Sequence, residues 1–199
     1  MASKTQIQIS KTLSFILRHN IGKDKQFQCD KQGFVRMNEI LVYFKRKNIP
    51  CTSDDIINVV NNSEKKRFKI EYRSGDTFIK ANQGHSLHVG EELDDNISFT
   101  QIFEPLEHCI HGTETKYIDS IRKNGLNRMK RKHIHFVGEI EKKNQLSGFK
   151  STSDIAIEVD MKQCMDDGIV FYKSANNVIL SEGINGIIAP KYFKVILNI

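Results

Sequence analysis

The chain has 199 residues, 39% hydrophobic and 27% charged, with a formal net charge of +6. That length admits one large domain or two small ones, and apolar positions spread along it exclude wholesale disorder. No apolar run approaches a membrane span, and the N-terminal MASKTQIQISK holds no apolar signal region. A soluble intracellular protein is expected, and the positive balance favours an anionic partner, most simply nucleic acid.

The first half begins with ISKTLSFILRHN, which places Ile9, Leu13, Ile16 and Leu17 on one helical stripe. A polar, turn-like stretch runs to Gly33. Asn38 can then cap a second helix, NEILVYFKRKN, with Ile40, Leu41 and Phe44 turned inward. TSDDIINVVNNS opens on a hydroxyl cap, Thr52 or Ser53, with Asp54 and Asp55 where a helix dipole favours acids. RFKIEYRSGDTFIKANQ reads as two alternating strands about a turn near Ser74–Asp76. Helices followed by a hairpin predict a winged-helix-like lobe over residues 1–85. Residues 86–100 show no period and carry an acidic cluster, so they are expected to be a linker.

The remainder, 101–199, is strand-rich: EHCIHGT, KHIHFV, AIEVD, IVFYKS, NVILSE, GIIAP and KVIL. Helix is expected at 114–124, stopped by Gly125, and at 154–166. The predicted class is α+β, with a strongly curved or split sheet in this second lobe.

The densest chemistry lies between His108 and Phe136. HCIHGT ends in Gly112–Thr113, where a glycine lets a ligand approach the backbone and a hydroxyl adds a donor beside His111. In RMKRKHIHF, His133 and His135 alternate onto one face of a short strand, behind a basic loop of Lys130, Arg131 and Lys132. Donors gathered without a neighbouring carboxylate suit a phosphate-rich ligand. Cys109, His111, His133 and His135 can be drawn as a zinc site, but Cys29, Cys51, Cys109 and Cys164 form no CxxC pair, so buried thiols and no metal are expected. Taken singly, other positions have ordinary explanations. Arg18 and His19 are cations at a helix C-terminus, Arg67 a surface charge, Arg131 part of a solvated loop, and His85 a linker residue. No GxGxxG, Walker or Ser-His-Asp signature is present.

As a set, LSFILRHN, KKRF, NQGHS, HGT, SIRKNGL, MKRKHIHF, DGIVFYKS, NNVILSEG and GIIAPKYF resemble the RNA 2′-phosphotransferase family of the KptA type, in order and spacing, from about residue 8 to 196. The resemblance implies a winged-helix RNA lobe followed by a lobe of the ADP-ribosyltransferase fold that holds NAD, a co-substrate that is consumed. It implies that an internal RNA 2′-phosphate, as left at a tRNA splice junction, attacks C1″ of the nicotinamide ribose and expels nicotinamide. The ribose O2″ of the RNA-2′-phospho-ADP-ribose intermediate then attacks phosphorus, giving 2′-hydroxyl RNA and ADP-ribose 1″,2″-cyclic phosphate. The family's catalytic Arg-His-Arg-Arg set falls on Arg18, His19, Arg67 and Arg131. His111, Gly112, Thr113, Ser120, Gly125 and His135 would line or flank the dinucleotide. Asn82, Gln83, Gly84, His85 and Ser86 would lie between the lobes.

The residue types suit this chemistry. Arginine presents a planar, permanently charged fork to phosphate, and histidine exchanges a proton near neutral pH. One departure is Asn176–Asn177, where the family often has a glycine-containing turn; asparagine tolerates the left-handed backbone such a turn needs. The expected partners are 2′-phosphorylated RNA, in the first instance tRNA, and NAD, with the protein a monomer. Competing readings are an ADP-ribosyltransferase that caps nucleic-acid phosphate ends, and a non-catalytic RNA or ADP-ribose binding module.

Overall fold

The structure is a computed structural model, describing residues 3–24, 26–138 and 152–199. The chain divides into two units, Met1–Ser98 and Phe99–Ile199. Among the described residues no helix is long and apolar enough to cross a membrane.

In the first unit, α1 (Lys4–Phe15) starts from a reciprocal cap: Ser3 Oγ accepts from the Gln6 N–H, and Gln6 Oε1 accepts from the Ser3 N–H. Ile9 and Leu13 carry its buried stripe, which continues as Ile16 and Leu17 through one wide π turn, Ile16–Asn20. Strand β1 (Val35–Arg36) leads straight into α2 (Met37–Arg46). Asn38 therefore does not cap this helix; it sits inside the first turn, and Arg36 occupies the cap position with no side-chain bond. Pairing of Val35 with Ile79 and Arg36 with Phe78 holds the chain extended through Arg36, and the helix begins where that pairing stops. Ile40 and Phe44 are buried, with Leu41 partly so.

Helix α3 (Ser53–Asn61) is capped by Thr52, whose Oγ1 accepts from the Asp55 N–H while the Asp55 carboxylate accepts from the Thr52 N–H. Strands β2 (Phe68–Arg73) and β3 (Asp76–Ala81) form the hairpin. Ser74 and Gly75 both take positive φ, 48° and 85°, as a two-residue turn matching strand twist requires. The sheet order is β1-β3-β2, and its inner face closes one core with the three helices.

The stretch expected as a linker carries two one-turn helices, α4 (Leu87–Gly90) and α5 (Asp95–Ser98), and its residues up to Ser98 belong to the first unit, with Phe99 and Thr100 in the second. Val89 is fully buried in that unit's core, and the Asp94 N–H donates to the Lys31 carbonyl. Helices this short show no period in sequence.

The second unit is built of small antiparallel sheets. One has the order β4-β9-β10-β7 (Thr100–Ile102, Phe171–Lys173, Ile179–Ser181, Ile134–Phe136). Another has the order β12-β8-β5 (Phe193–Asn198, Ile155–Val159, Ile110–Thr113). A single bridge, Ile110 with Val137, joins them. A two-stranded ribbon pairs β11 (Ile187–Ile188) with β6 (Leu126–Asn127). The class is α+β with small sheets. Helix α6 (Ile118–Asn124) follows a 3-10 turn at Thr115–Tyr117 and ends at Gly125, as expected. Ile118 and Ile121 pack inward, and Tyr117 stays exposed.

The helix expected at 154–166 is shorter. Ile155–Val159 is strand β8, and only α7 (Met161–Asp166) is helical, capped by Asp160. Alternating β-branched Ile155, Ile157 and Val159 bury one face and override the helical reading. Asn177 adopts φ 63°, so asparagine does take the left-handed turn position noted in the sequence.

Candidate active site

In the first unit the sequence-predicted residues gather around the loop 82–86. Arg18 and His19, both half-buried, lie in the π turn that ends the first helix. The Arg18 carbonyl is taken up by the loop: the Ser86 N–H and Ser86 Oγ each donate to it at 2.9 Å. Gly84 packs on the same residue. A Cβ there would stand 3.4 Å from Cζ, Nε and Nη1 of Arg18, and φ is +87°. Glycine thus supplies a backbone conformation and a flat seat for the guanidinium.

At its other end the loop holds the segment bearing Arg67. The Asn82 N–H donates to the Arg67 carbonyl at 2.8 Å, and Asn82 Nδ2 donates to the Lys66 carbonyl at 2.6 Å. Asn82 and Arg67 flank the Phe68–Ala81 pair that closes the hairpin base. Asn82 Oδ1 is buried and finds no hydrogen-bond partner among the described residues, a costly arrangement that a bound hydroxyl or amide would relieve. Burial lowers the pKa of Arg67, which remains charged. Gln83 is buried, and so is His85, which lies beside Gly33 and does not decorate a linker.

In the second unit, His111 and His135 come together. His111 Nδ1 lies 2.9 Å from the His135 carbonyl oxygen, which can only accept, so Nδ1 carries the proton. The ring also meets Phe136 edge-on, with centroids 5.9 Å apart. Gly112 and Thr113 continue the same strand, paired with Ala156 and Ile155. Thr113 is buried, and its carbonyl accepts from the Asp154 N–H.

Ser120 and Gly125 have other surroundings. Ser120 is on the exposed side of α6, accepting from Asn124 Nδ2 at 3.3 Å. At Gly125, φ is +84° and a Cβ would stand 2.4 Å from the Ile188 carbonyl oxygen, so close packing of β11 accounts for this glycine. Cys109 and Cys164 are core thiols whose pKa values burial raises, Cys164 to about 12, which disfavours the thiolate a metal would need.

Arg131 follows the ribbon strand β6. Its N–H donates to the Arg128 carbonyl at 3.1 Å. Its surface is open, and protein atoms around the guanidinium lower its pKa by desolvation while leaving it charged. Arg128 opens the basic run of this loop, and Glu182 and Gly186, which were not among the candidate site residues, contact it. The signal was there in Asn185–Gly186, a dipeptide that favours tight hairpin turns.

The family model described as "RNA 2'-phosphotransferase, Tpt1 / KptA family" matches residues 4–183. The chain is 37% identical over 191 residues to "tRNA 2'-phosphotransferase 1" of Danio rerio, spanning 94% of this chain and 83% of that one. It is 33% identical over 192 residues to "Putative tRNA 2'-phosphotransferase" of Schizosaccharomyces pombe, spanning 94% of this chain and 50% of that one. It is 36% identical over 186 residues to "Probable RNA 2'-phosphotransferase" of Flavobacterium johnsoniae, spanning 94% of both.

Proposed function

Because this chain belongs to the RNA 2′-phosphotransferase, Tpt1 / KptA family, we propose that it removes an internal 2′-phosphate from RNA, a tRNA splice junction being the first candidate, by transferring it to NAD. The first unit is then the winged-helix lobe and the second the ADP-ribosyltransferase-like lobe that takes the dinucleotide. The observation that carries the reading is the loop 82–86, which seats the Arg18 guanidinium on Gly84 and ties the Arg67 segment through Asn82. Two cations that must grip one phosphate are thus held by one short piece of backbone.

The residues present suit a dinucleotide. His111 has its ring orientation fixed by the His135 carbonyl, Gly112 adds no side-chain bulk, and Asn82 Oδ1 is a buried acceptor lacking a donor. NAD would supply an electrophilic ribose carbon and a neutral leaving group. Arg18, Arg67 and Arg131 would hold the RNA 2′-phosphate against C1″, so that the C1″–N bond breaks as the phosphate O–C1″ bond forms. NAD would also supply the ribose hydroxyl that takes up the phosphorus, with the RNA 2′-oxygen as leaving group. His19 would take the proton from O2″ and return one to the departing oxygen, while the arginines neutralise charge at phosphorus.

The test is a 2′-phosphorylated oligonucleotide incubated with and without NAD. The expected products are 2′-hydroxyl RNA, nicotinamide and ADP-ribose 1″,2″-cyclic phosphate, formed only with NAD. Inorganic phosphate released without NAD would identify an ordinary phosphatase. Stable accumulation of ADP-ribosylated RNA would identify a capping enzyme, and binding without turnover a recognition module.

A further inference from the structure

We propose that Arg128 is a positioning residue that aims Arg131, acting through a cradle made by Glu182 and Gly186. The inference rests on the proposed role of Arg131 in gripping the phosphate. Ile184 and Ile187 pair at 2.9 and 3.0 Å about Asn185 (φ 52°) and Gly186 (φ 82°), a rigid two-residue turn. Gly183 packs under it, since a Cβ there would stand 2.4 Å from the Ile187 carbonyl oxygen. Arg128 lies against this turn. Its N–H donates to the Gly186 carbonyl at 3.0 Å, and its side chain covers Gly186 so closely that a Cβ would be 2.5 Å from Nε.

From there two contacts reach the loop. The Arg128 carbonyl accepts from the Arg131 N–H at 3.1 Å, and Arg128 Nη1 donates to the Lys132 carbonyl at 3.4 Å. Arg128 therefore binds the residues on and just after Arg131. Glu182 steadies both sides, with its carboxylate 3.8 Å from Arg128 Nη1 and 4.0 Å from Lys132 Nζ. Each ion pair is long and individually weak. The effect is geometric: Met129 is held at φ 57° with its N–H on Asn127 Oδ1, and the loop closes on itself from 127 to 132. A loop that presents a phosphate-gripping arginine loses rate steeply when its tip shifts, since displacement by about 1 Å can cost on the order of 100-fold.

The experiment is a double-mutant cycle in the full chain, read as second-step rate and KM for RNA. The variants are Arg128→Ala, Arg128→Lys, Glu182→Gln and Gly186→Ala, each alone and with Arg131→Ala. Arg128→Ala should slow the second step by roughly 10- to 100-fold with little change in KM, and Arg128→Lys should recover part of it. In the Arg131→Ala background, Arg128→Ala should cost less than about 3-fold. Glu182→Gln keeps the shape of the side chain, so it reports even where Arg128→Ala folds poorly. Undiminished turnover in Arg128→Ala, or losses that add fully to those of Arg131→Ala, would overturn the proposal while leaving the function intact. Full activity in Arg131→Ala alone would instead remove the proposed grip on phosphate, and this inference with it.

Discussion

Among single residues, His19 and Gly84 give the sharpest expectations. His19 is the one member of the proposed set able to exchange a proton near neutral pH, and the first step needs aim more than proton transfer. His19→Ala should therefore accumulate RNA-2′-phospho-ADP-ribose in a gel-resolved time course; parent-like turnover with no such band would disprove the role. Gly84→Ala should behave differently. It meets the Arg18 guanidinium at 3.4 Å and must hold φ +87°, a strain of about 1–3 kcal/mol. The expected result is a fall in kcat larger than the fall in unfolding midpoint, because the arginine shifts while the core stays packed. The proposed set Arg18, His19, Arg67 and Arg131 is suggested only by a nine-block pattern, since each residue alone has an ordinary explanation. Nothing in the sequence showed that Ser86 would bind the Arg18 carbonyl, because that bond joins residues far apart along the chain.

At the level of elements, legibility followed periodicity and local chemistry. The stripe Ile9, Leu13, Ile16 and Leu17, the hydroxyl cap at Thr52 or Ser53 and the turn near Ser74–Asp76 are encoded within a few residues; the stripe is buried, Thr52 is the cap, and Ser74 and Gly75 make the turn. Asn38 misled because strand pairing of Arg36 set the start of α2, a tertiary effect overriding a local cap preference. Within 154–166, AIEVD was read both as a strand and as the start of a helix; burial of Ile155, Ile157 and Val159 selects the strand, and helix is confined to Met161–Asp166. Gly125 offers a test of such packing. Gly125→Ala places a methyl group 2.4 Å from a backbone oxygen at φ +84°, and should lower stability by about 3 kcal/mol or more in a urea titration. A change under about 0.5 kcal/mol would show that this packing does not explain the glycine.

For the molecule as a whole, charge is the governing quantity. A net charge of +6, with Lys65, Lys66 and the 130–132 run among its contributors, should draw RNA through counterion release. KM for a 2′-phosphorylated RNA should rise by at least about 10-fold between 50 and 200 mM salt, with kcat moving far less. A flat KM would mean that recognition is confined to the reacting phosphate and its immediate neighbours.

The bond from Ser86 to Arg18 has a thermal consequence. The π turn leaves the Arg18 carbonyl to a donor from a distant loop, so the end of the first helix is fastened from outside while the core beneath it is fastened from within. Such attachments open at lower free energy than a packed core. Warming should release the loop and extinguish catalysis reversibly several degrees before far-ultraviolet dichroism records melting. Amide exchange at Ser86 should rise in the same interval. An activity curve superimposed on the melting curve would show that loop and core come apart as one unit.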